Sequence, residues 1–264
     1  MKKILITGSS GLIGSVIIKN LGNKYEFSGL DIKPNKNYPE LKTFTNSNNL
    51  NSILPAFKNI DTVIHLAANV SEATEWDLVL NNNIILTKNI YEASKINNIK
   101  RVIFASSNHA VGNFEKDFPY KTIVEGKYDE IDINKIVKID SSVPIRPDSD
   151  YGISKAFGEA VARYYFEHHG IESACLRIGT VRPDNSPKTD VRHFATMLYH
   201  EDLAQLIDKC IEKENLDFQI FYGVSNNKWR FWDLDHARKT IGYDPKKNVN
   251  LYDLQKDPKE EHNI

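Results

Sequence analysis

A glycine-rich turn near the N-terminus limits the possible folds of this chain more than any other feature. The stretch TGSSGLIG (residues 7–14) lies between a short apolar run at 4–6 and a helical pattern at 12–21. Residues without a Cβ let a pyrophosphate approach the bare backbone, and the helix that follows offers N–H donors and a partial positive charge. Gly14 is expected to let the helix pack closely on the strand. The residues expected at the pyrophosphate of a dinucleotide are Gly8, Gly11, Leu12 and Ile13.

An acidic residue follows the second apolar run at the distance that a dinucleotide-binding unit requires. Asp31 lies 23 residues after Gly8, close to the spacing of about 20 residues that is usual in such units. A carboxylate there accepts hydrogen bonds from both ribose hydroxyls of NAD and would repel the 2′-phosphate of NADP. The spacing therefore favours NAD over NADP, with Asp31 and Ile32 beside the ribose, although Lys33 stands nearby.

Apolar runs of strand length alternate with helical patterns along the chain. Continuous apolar strands separated by helices are typical of a parallel sheet covered on both faces. Right-handed crossovers then give a doubly wound α/β sheet of the Rossmann type. Strands are predicted at 4–6, 25–32, 41–45, 61–68, 101–107, 172–180 and 217–224, and helices at 12–21, 75–97, 151–169 and 200–213.

The chain is expected to form one domain over 1–256, completed by a small C-terminal substrate-binding lobe. Two long irregular stretches, 112–150 and 181–199, each follow a predicted strand. Ligands bind at strand ends in such sheets, so both stretches are expected on the substrate side. Residues 257–264 are polar and charged and are predicted to form a frayed tail.

Composition excludes several classes of partner. The net charge is −1, from 34 basic and 35 acidic residues, so nothing favours nucleic acid or an anionic membrane. Lys2 and Lys3 before an apolar stretch resemble the start of a signal peptide, but glycines interrupt the stretch and no run reaches 18 apolar residues. Cys175 and Cys210 lack metal-binding spacing. We expect a soluble cytoplasmic protein without a metal site.

A tyrosine and a lysine in the stretch YGISK form a candidate catalytic pair. Tyr151 and Lys155 are four residues apart, which places both side chains on one face of a helix. A tyrosine with its ordinary pKa of about 10 is a poor base, but a nearby cation lowers that pKa. Ser106 and Ser107 end a predicted strand beside the expected cofactor and can orient a substrate hydroxyl.

The motifs TGSSGLIG, HLAA, SSNHAVG and YGISK, with an acid after the second strand, together resemble the extended short-chain dehydrogenase/reductase superfamily. The resemblance covers essentially the whole chain. It implies that Ser107, Tyr151 and Lys155 are catalytic, with Tyr151 as general base, and that Ser106 is structural. Asn46 stands where the family usually has Asp. Further cofactor contacts implied by the resemblance are Asn46, Ser47, Leu66, Ala67, Ala68, Asn83, Ala105 and Ile178, with Tyr151 and Lys155 themselves.

Within that superfamily, the stretches SSNHAVG, RPDSDYGISKAFGE, LRIGT and YGVSNN resemble two branches. These are the NAD-dependent uronate dehydrogenases and the short-chain-type NAD-dependent glucose-6-phosphate dehydrogenases. Both oxidise C1 of a cyclic aldose to a lactone, and both act on an anionic sugar. Arg192 matches the arginine that clamps the carboxylate, and its fork suits a phosphate as well. The sugar contacts implied are Ser71, Ser107, Asn108, His109, Tyr151, Thr180 and Arg192.

The stretch 113–150 is longer than in the uronate branch and favours the glucose-6-phosphate branch. A phosphate normally collects several donors. The sequence leaves the choice between carboxylate and phosphate open. Candidate donors for a phosphate are Lys116, Lys121, Arg146, Arg182, Lys188 and Arg192.

Two other functions stay open at this stage. A nucleotide-sugar epimerase or dehydratase would use the same cofactor and tyrosine, but only 113 residues follow Tyr151, which is short for a nucleotide-diphosphate pocket. A non-catalytic NAD-binding sensor would share the fold, yet such proteins often lack the tyrosine or the lysine that this chain keeps. A homodimer is expected by analogy with the superfamily.

Overall fold

The computed structural model describes residues 1–45, 49–187 and 190–249, and within these ranges a seven-stranded parallel sheet forms the centre of the protein. The strand order is β3-β2-β1-β4-β5-β6-β7, so the direction of winding reverses between β1 and β4. Ligands bind at this switch point in doubly wound sheets. The strands are β1 (Lys3–Thr7), β2 (Glu26–Asp31), β3 (Thr43–Thr45), β4 (Thr62–His65), β5 (Arg101–Ser107), β6 (Glu172–Ile178) and β7 (Phe218–Gly223).

Helices cover both faces of this sheet, which confirms the predicted doubly wound fold. They are α1 (Leu12–Leu21), α2 (Leu50–Ile53), α3 (Trp76–Val79), α4 (Leu86–Ile96), α5 (Tyr120–Val124), α6 (Asp150–His169), α7 (His193–Thr196), α8 (His200–Glu212) and α9 (Asp235–Ile241). Short 3-10 helices lie at Leu54–Phe57, Asn108–Lys116, Tyr128–Glu130 and Ile133–Lys135.

The buried side chains divide into two layers because successive strand residues point to opposite faces. Ile4 and Ile6 of β1 pack with residues of α1 and α8. Leu5, between them, packs on the other face with residues of α4 and α6. This alternation anchors the central strands between two helical layers.

Two predicted elements differ from the observed ones by more than a shift of one or two residues at an end. The strand predicted at 61–68 ends at His65, because the chain then leaves the ladder and Ala67 donates its N–H to the Thr7 hydroxyl (3.2 Å). The helix predicted at 75–97 is interrupted by a π-helical segment at Leu80–Ile85. The predicted tail 257–264 lies outside the described residues.

Helix α6 packs unusually close to the sheet. The Ser149 hydroxyl accepts from the Gly152 N–H (3.1 Å) at its start, and Gly170 ends it in the left-handed conformation. A Cβ on Gly158 would lie 2.2 Å from the Phe104 ring of β5. The glycine therefore brings one face of α6 against the end of β5.

The segment after β5 packs against the segment after β7. Ile139 donates its N–H to the Phe231 carbonyl (2.8 Å), and its carbonyl accepts from the Asp233 N–H (2.9 Å). Tyr128 stacks on Trp229 with ring centroids 4.2 Å apart. Within the described ranges, no helix has the length and apolar character needed to cross a membrane.

Candidate active site

A cavity of about 680 Å³ opens at the carboxyl edge of the sheet. It extends from the glycine turn and the end of β2, past the ends of β4 and β5, to the segment after β6. Ligand pockets of cofactor size fall in this range of volume. Sequence-predicted residues that line it are Gly8, Gly11, Leu12, Ile13, Asp31, Ile32, Leu66, Ala67, Ala68, Ala105, Ser107, Asn108, His109, Tyr151, Lys155, Ile178, Thr180 and Arg192.

The glycine turn has the geometry of a phosphate cradle. Gly8 adopts φ +72°, and a Cβ there would lie 2.8 Å from the backbone nitrogen of Ala67. A Cβ on Gly14 would lie 2.6 Å from the Ser9 carbonyl oxygen. Gly14 therefore lets α1 pack against the turn itself, rather than against the strand as expected. Residues at the start of α1 line the cavity, which fits the binding of a dinucleotide pyrophosphate at a helix N-terminus.

Asp31 lies at the end of β2 beside this turn. One carboxylate oxygen accepts from the Ser10 N–H (2.8 Å), and the other from the Lys33 N–H (3.3 Å). Each oxygen keeps acceptor capacity for a further donor. The carboxylate is thus fixed where the two hydroxyls of a ribose can reach it.

The three predicted catalytic side chains meet at the ends of β5 and α6. Ser107 lies beside Tyr151, and its hydroxyl donates to Asn108 Oδ1 (3.3 Å) and accepts from the His109 N–H (3.2 Å). Lys155 donates from Nζ to the Ala105 carbonyl (2.8 Å) and lies 5.4 Å from the centroid of the Tyr151 ring. All three are at most 8 % exposed. Ser106 also lines the cavity, but its hydroxyl donates to Glu159 (2.6 Å), which fits a structural role.

Burial controls the proton affinities of this set. It raises the pKa of Tyr151 to about 12, against the lowering effect of the Ser107 hydroxyl. It also lowers the pKa of Lys155 to about 7. The effect of Lys155 on the ionisation of Tyr151 stays a prediction, and in the protein alone the same burial that brings the groups together disfavours both charges.

Several predicted contacts lie elsewhere. Asn83 does not line the cavity: its amide donates to Ser154 Oγ (3.0 Å) and to the Asn69 carbonyl (3.0 Å), so it fixes the residue beside Lys155. Ser71 is exposed and accepts from the Ala73 N–H (3.1 Å), away from the cavity. Asn46 and Ser47 lie outside the described residues.

The far end of the cavity carries the predicted sugar contacts. His109 Nδ1 lies 2.8 Å from Asp148 Oδ2, and its ring is edge-on to Tyr151 with centroids 5.7 Å apart. Thr180 Oγ1 lies 2.9 Å from Thr196 Oγ1. Arg192 faces the cavity, but its fork is bound by the carboxylate of Glu115. Asn108, His109, Thr180 and Arg192 thus share one wall.

Among the candidate phosphate donors in the described ranges, Arg192 alone lines the cavity. Lys121 pairs with Glu125 (3.7 Å), Arg146 pairs with Asp117, and Arg182 pairs with Asp184 (3.2 Å). The side chains of all three pairs lie outside the cavity lining. Lys188 lies outside the described residues.

Sequence reasoning missed two carboxylates, Glu115 and Asp148. Both stand behind a cavity-lining side chain rather than in the wall. Asp148 lies directly before the cap of α6 and pairs with a residue 39 positions earlier. Glu115 and Arg192 are 77 positions apart, and no local pattern marks either carboxylate.

The arrangement resembles that of known proteins. A family model, NAD dependent epimerase/dehydratase family, matches residues 4–216. The chain belongs to this family. It is 31 % identical over 265 residues to the NAD-dependent glucose-6-phosphate dehydrogenase of Haloferax volcanii, covering 98 % of each chain. It is 30 % identical to the L-arabinose 1-dehydrogenase (NAD(P)(+)) of the same organism, covering 94 % of this chain and 98 % of the relative.

A solved structure supports the same relationship. The uronate dehydrogenase from Agrobacterium tumefaciens, determined as a mutant complexed with NAD, superposes with a TM-score of 0.78 at 29 % identity. The alignment covers 94 % of this chain and 86 % of that one. The family is thus NAD-dependent, and its similar members include dehydrogenases of several sugars.

Proposed function

We propose that the protein is an NAD-dependent sugar dehydrogenase that oxidises C1 of an aldose to its lactone. The observation that carries this proposal is the meeting of Tyr151, Ser107 and Lys155 in the cavity that also holds the glycine turn and Asp31. Similar proteins oxidise uronates, glucose 6-phosphate and L-arabinose by their names. The cofactor contacts are the cavity-lining residues of the turn, of β2 and of the ends of β4, β5 and β6.

The chemistry removes one hydride and one proton from the sugar. Ser107 and Tyr151 hydrogen-bond the C1 hydroxyl. Tyr151 first releases its phenol proton to solvent, and the phenolate oxygen then takes the proton of the C1 hydroxyl. When bound, NAD would accept the hydride from C1. The bond from C1 to the former hydroxyl oxygen becomes the carbonyl of the lactone, and the ring oxygen keeps its single bond to C1. Positioning and general-base assistance each contribute several orders of magnitude to such a step.

Lys155 acts on the proton of Tyr151 rather than on the sugar. Its Nζ is fixed by the Ala105 carbonyl (2.8 Å), and its remaining donors would be available to the nicotinamide ribose of a bound NAD. Because its pKa is about 7, the amine can gain or lose a proton near neutral pH. A cation favours the phenolate, so we expect the charged form of Lys155 to assist deprotonation of the phenol.

We also propose a single domain over 1–256, a cytoplasmic location and a homodimer. The residues around Arg192 decide whether the site accepts a charged or a neutral group at the far end of the sugar. The predicted anionic sugars, a hexuronate or a hexose 6-phosphate, would bring a carboxylate or a phosphate to that residue.

A panel of reactions tests the proposal. NAD or NADP is offered with glucuronate, galacturonate, glucose 6-phosphate, glucose and UDP-glucose, and absorbance of the reduced cofactor is followed. Net NADH formation from a free sugar is expected. Activity only with UDP-glucose would contradict the proposal, conversion of UDP-glucose to an epimer without net NADH, followed by product analysis, would support the epimerase alternative, and NAD binding without turnover of any of these compounds would support a sensor.

Tyr151→Phe then tests the mechanism. Loss of a general base should lower turnover by about 10²- to 10⁴-fold. Tyr164→Phe, on the half-exposed side of the same helix, is the matched control and should keep wild-type turnover. Near wild-type turnover of Tyr151→Phe would refute the assignment of the base.

A further inference from the structure

The guanidinium of Arg192 is already paired in the cavity wall. Nε donates to Oε2 of Glu115 (2.6 Å) and Nη2 to Oε1 (2.9 Å), a bidentate fork. The side chain of Glu115 is 12 % exposed and that of Arg192 28 %. Asn108 adds a hydrogen bond from Nδ2 to Oε1 of Glu115 (3.2 Å). The carboxylate is therefore held from two sides.

Further carboxylates surround the same end of the cavity. Asp148 and Glu72 lie 2.8 Å and 3.4 Å from the two ring nitrogens of His109. Burial opposes the charge of Arg192, yet Glu115, with smaller contributions from Glu72 and Asp148, raises the pKa of Arg192 above its ordinary value. The guanidinium of Arg192 thus lies near three acidic side chains, those of Glu115, Glu72 and Asp148.

Other cations of the cavity wall lie away from this end. Within the described ranges these are Lys155, buried and bound to the Ala105 carbonyl, and Lys33, beside Asp31 at the opposite end. An anionic group on the sugar would therefore meet a single guanidinium that nearby carboxylates already surround. Unless it displaced Glu115, it would sit as a second anion on one guanidinium.

We propose that Glu115 cancels the charge of Arg192 and makes this protein selective for neutral aldoses over uronates and hexose phosphates. The inference rests on the proposed aldose oxidation and specifies its substrate class. A sugar hydroxyl can accept a hydrogen bond from Nη1 of Arg192, which takes no part in the fork with Glu115. Displacing Glu115 instead would leave a largely buried carboxylate without its partner, which is strongly unfavourable.

Matched sugars test the proposal on the wild-type protein. Galactose is compared with galacturonate, and glucose with glucuronate and glucose 6-phosphate, because each pair differs only at C6. kcat/KM for the neutral sugar should exceed that for its anionic partner by about tenfold or more. Preference for the anionic member of each pair would overturn the inference and leave aldose oxidation standing. Turnover of none of these sugars would refute both.

The variant Glu115→Gln tests the residue itself. It keeps an acceptor for Arg192 and removes the charge, so the ratio of kcat/KM for galacturonate to that for galactose should rise about 10- to 100-fold. Glu125→Gln is the matched control, because it removes the same charge from an exposed site in the segment that follows. An unchanged ratio in Glu115→Gln would overturn the role of this residue, and the wild-type comparison holds even where the variant fails to fold.

Discussion

Substituting Gly112 by alanine should disturb the active site through one identifiable collision. An ideal Cβ on Gly112 would lie 1.8 Å from Oδ2 of Asp148 and 2.4 Å from its Cγ. This oxygen is the one that holds Nδ1 of His109 at 2.8 Å. The carboxylate must therefore rotate away, and His109 loses its partner beside Tyr151.

The expected cost follows from two contributions. Overpacking of a close contact costs about 1–3 kcal/mol, and loss of a half-buried hydrogen bond to a charged group about 1.5–3 kcal/mol. Because one relaxation can relieve both, we expect a total of about 2–4 kcal/mol in the free energy of unfolding. Urea unfolding should show a lower midpoint at an unchanged m-value. kcat/KM for the sugar should fall by roughly 10- to 100-fold as His109 loses its orientation.

A double-mutant cycle checks the cause. In the Asp148→Ala background the two colliding carboxylate atoms are absent and the Cβ of residue 148 remains at 3.1 Å, so Gly112→Ala should cost about 1 kcal/mol or less. Gly170→Ala serves as control: no atom lies within 4 Å, but φ is +65°, so backbone strain of about 1 kcal/mol should be equal in both backgrounds. An equal cost of Gly112→Ala in both backgrounds would refute the collision.

Three further changes have defined outcomes. Glu159→Gln leaves Arg177 charged and buried without its carboxylate, and should cost about 3–5 kcal/mol in urea unfolding, whereas Glu167→Gln in an exposed pair should change little. Lys155→Met should raise the free energy of unfolding by roughly 3–5 kcal/mol near pH 6.5, because burying the charged lysine destabilises the wild-type protein. The pKa of Lys155 is about 7 in the folded protein and higher in the unfolded chain. The destabilisation should therefore be complete below pH 7 and vanish above about pH 10.5 when unfolding is measured as a function of pH. Asp31→Ser should raise the KM for NAD about tenfold or more and reduce the preference for NAD over NADP in initial rates. An unchanged preference for NAD would argue against contact between Asp31 and the ribose.

The fold followed from local patterns, and so did most of the cavity. Glycine spacing, apolar runs and the four-residue spacing of Tyr151 and Lys155 are short-range signals, and each places its residues at the carboxyl edge of a parallel sheet. The end of β4 did not follow from its apolar pattern, because residues 66–68 are as apolar as a strand yet leave the β-ladder. The π-helical segment shifts the helix face, and Asn83 then points to Ser154.

Charges at the site were not predictable for a different reason. Whether Arg192 is free to bind an anion depends on Glu115, whose approach is set by the path of a 3-10 helix far away in the chain. The pKa values of Tyr151 and Lys155 depend on how deeply both groups are buried, which composition and spacing do not reveal. Pairing and burial are properties of the assembled structure.

The paired backbone of Ile139 and the segment around Trp232 has a consequence for protein engineering. Ile139 both donates to and accepts from that segment, and Lys138 donates to the Arg230 carbonyl (2.5 Å). Transplanting 113–150 alone from a relative would leave those backbone groups without their partners, since the complementary edge belongs to the C-terminal part of the chain. Chimeras that exchange both segments together should fold, and single exchanges should not.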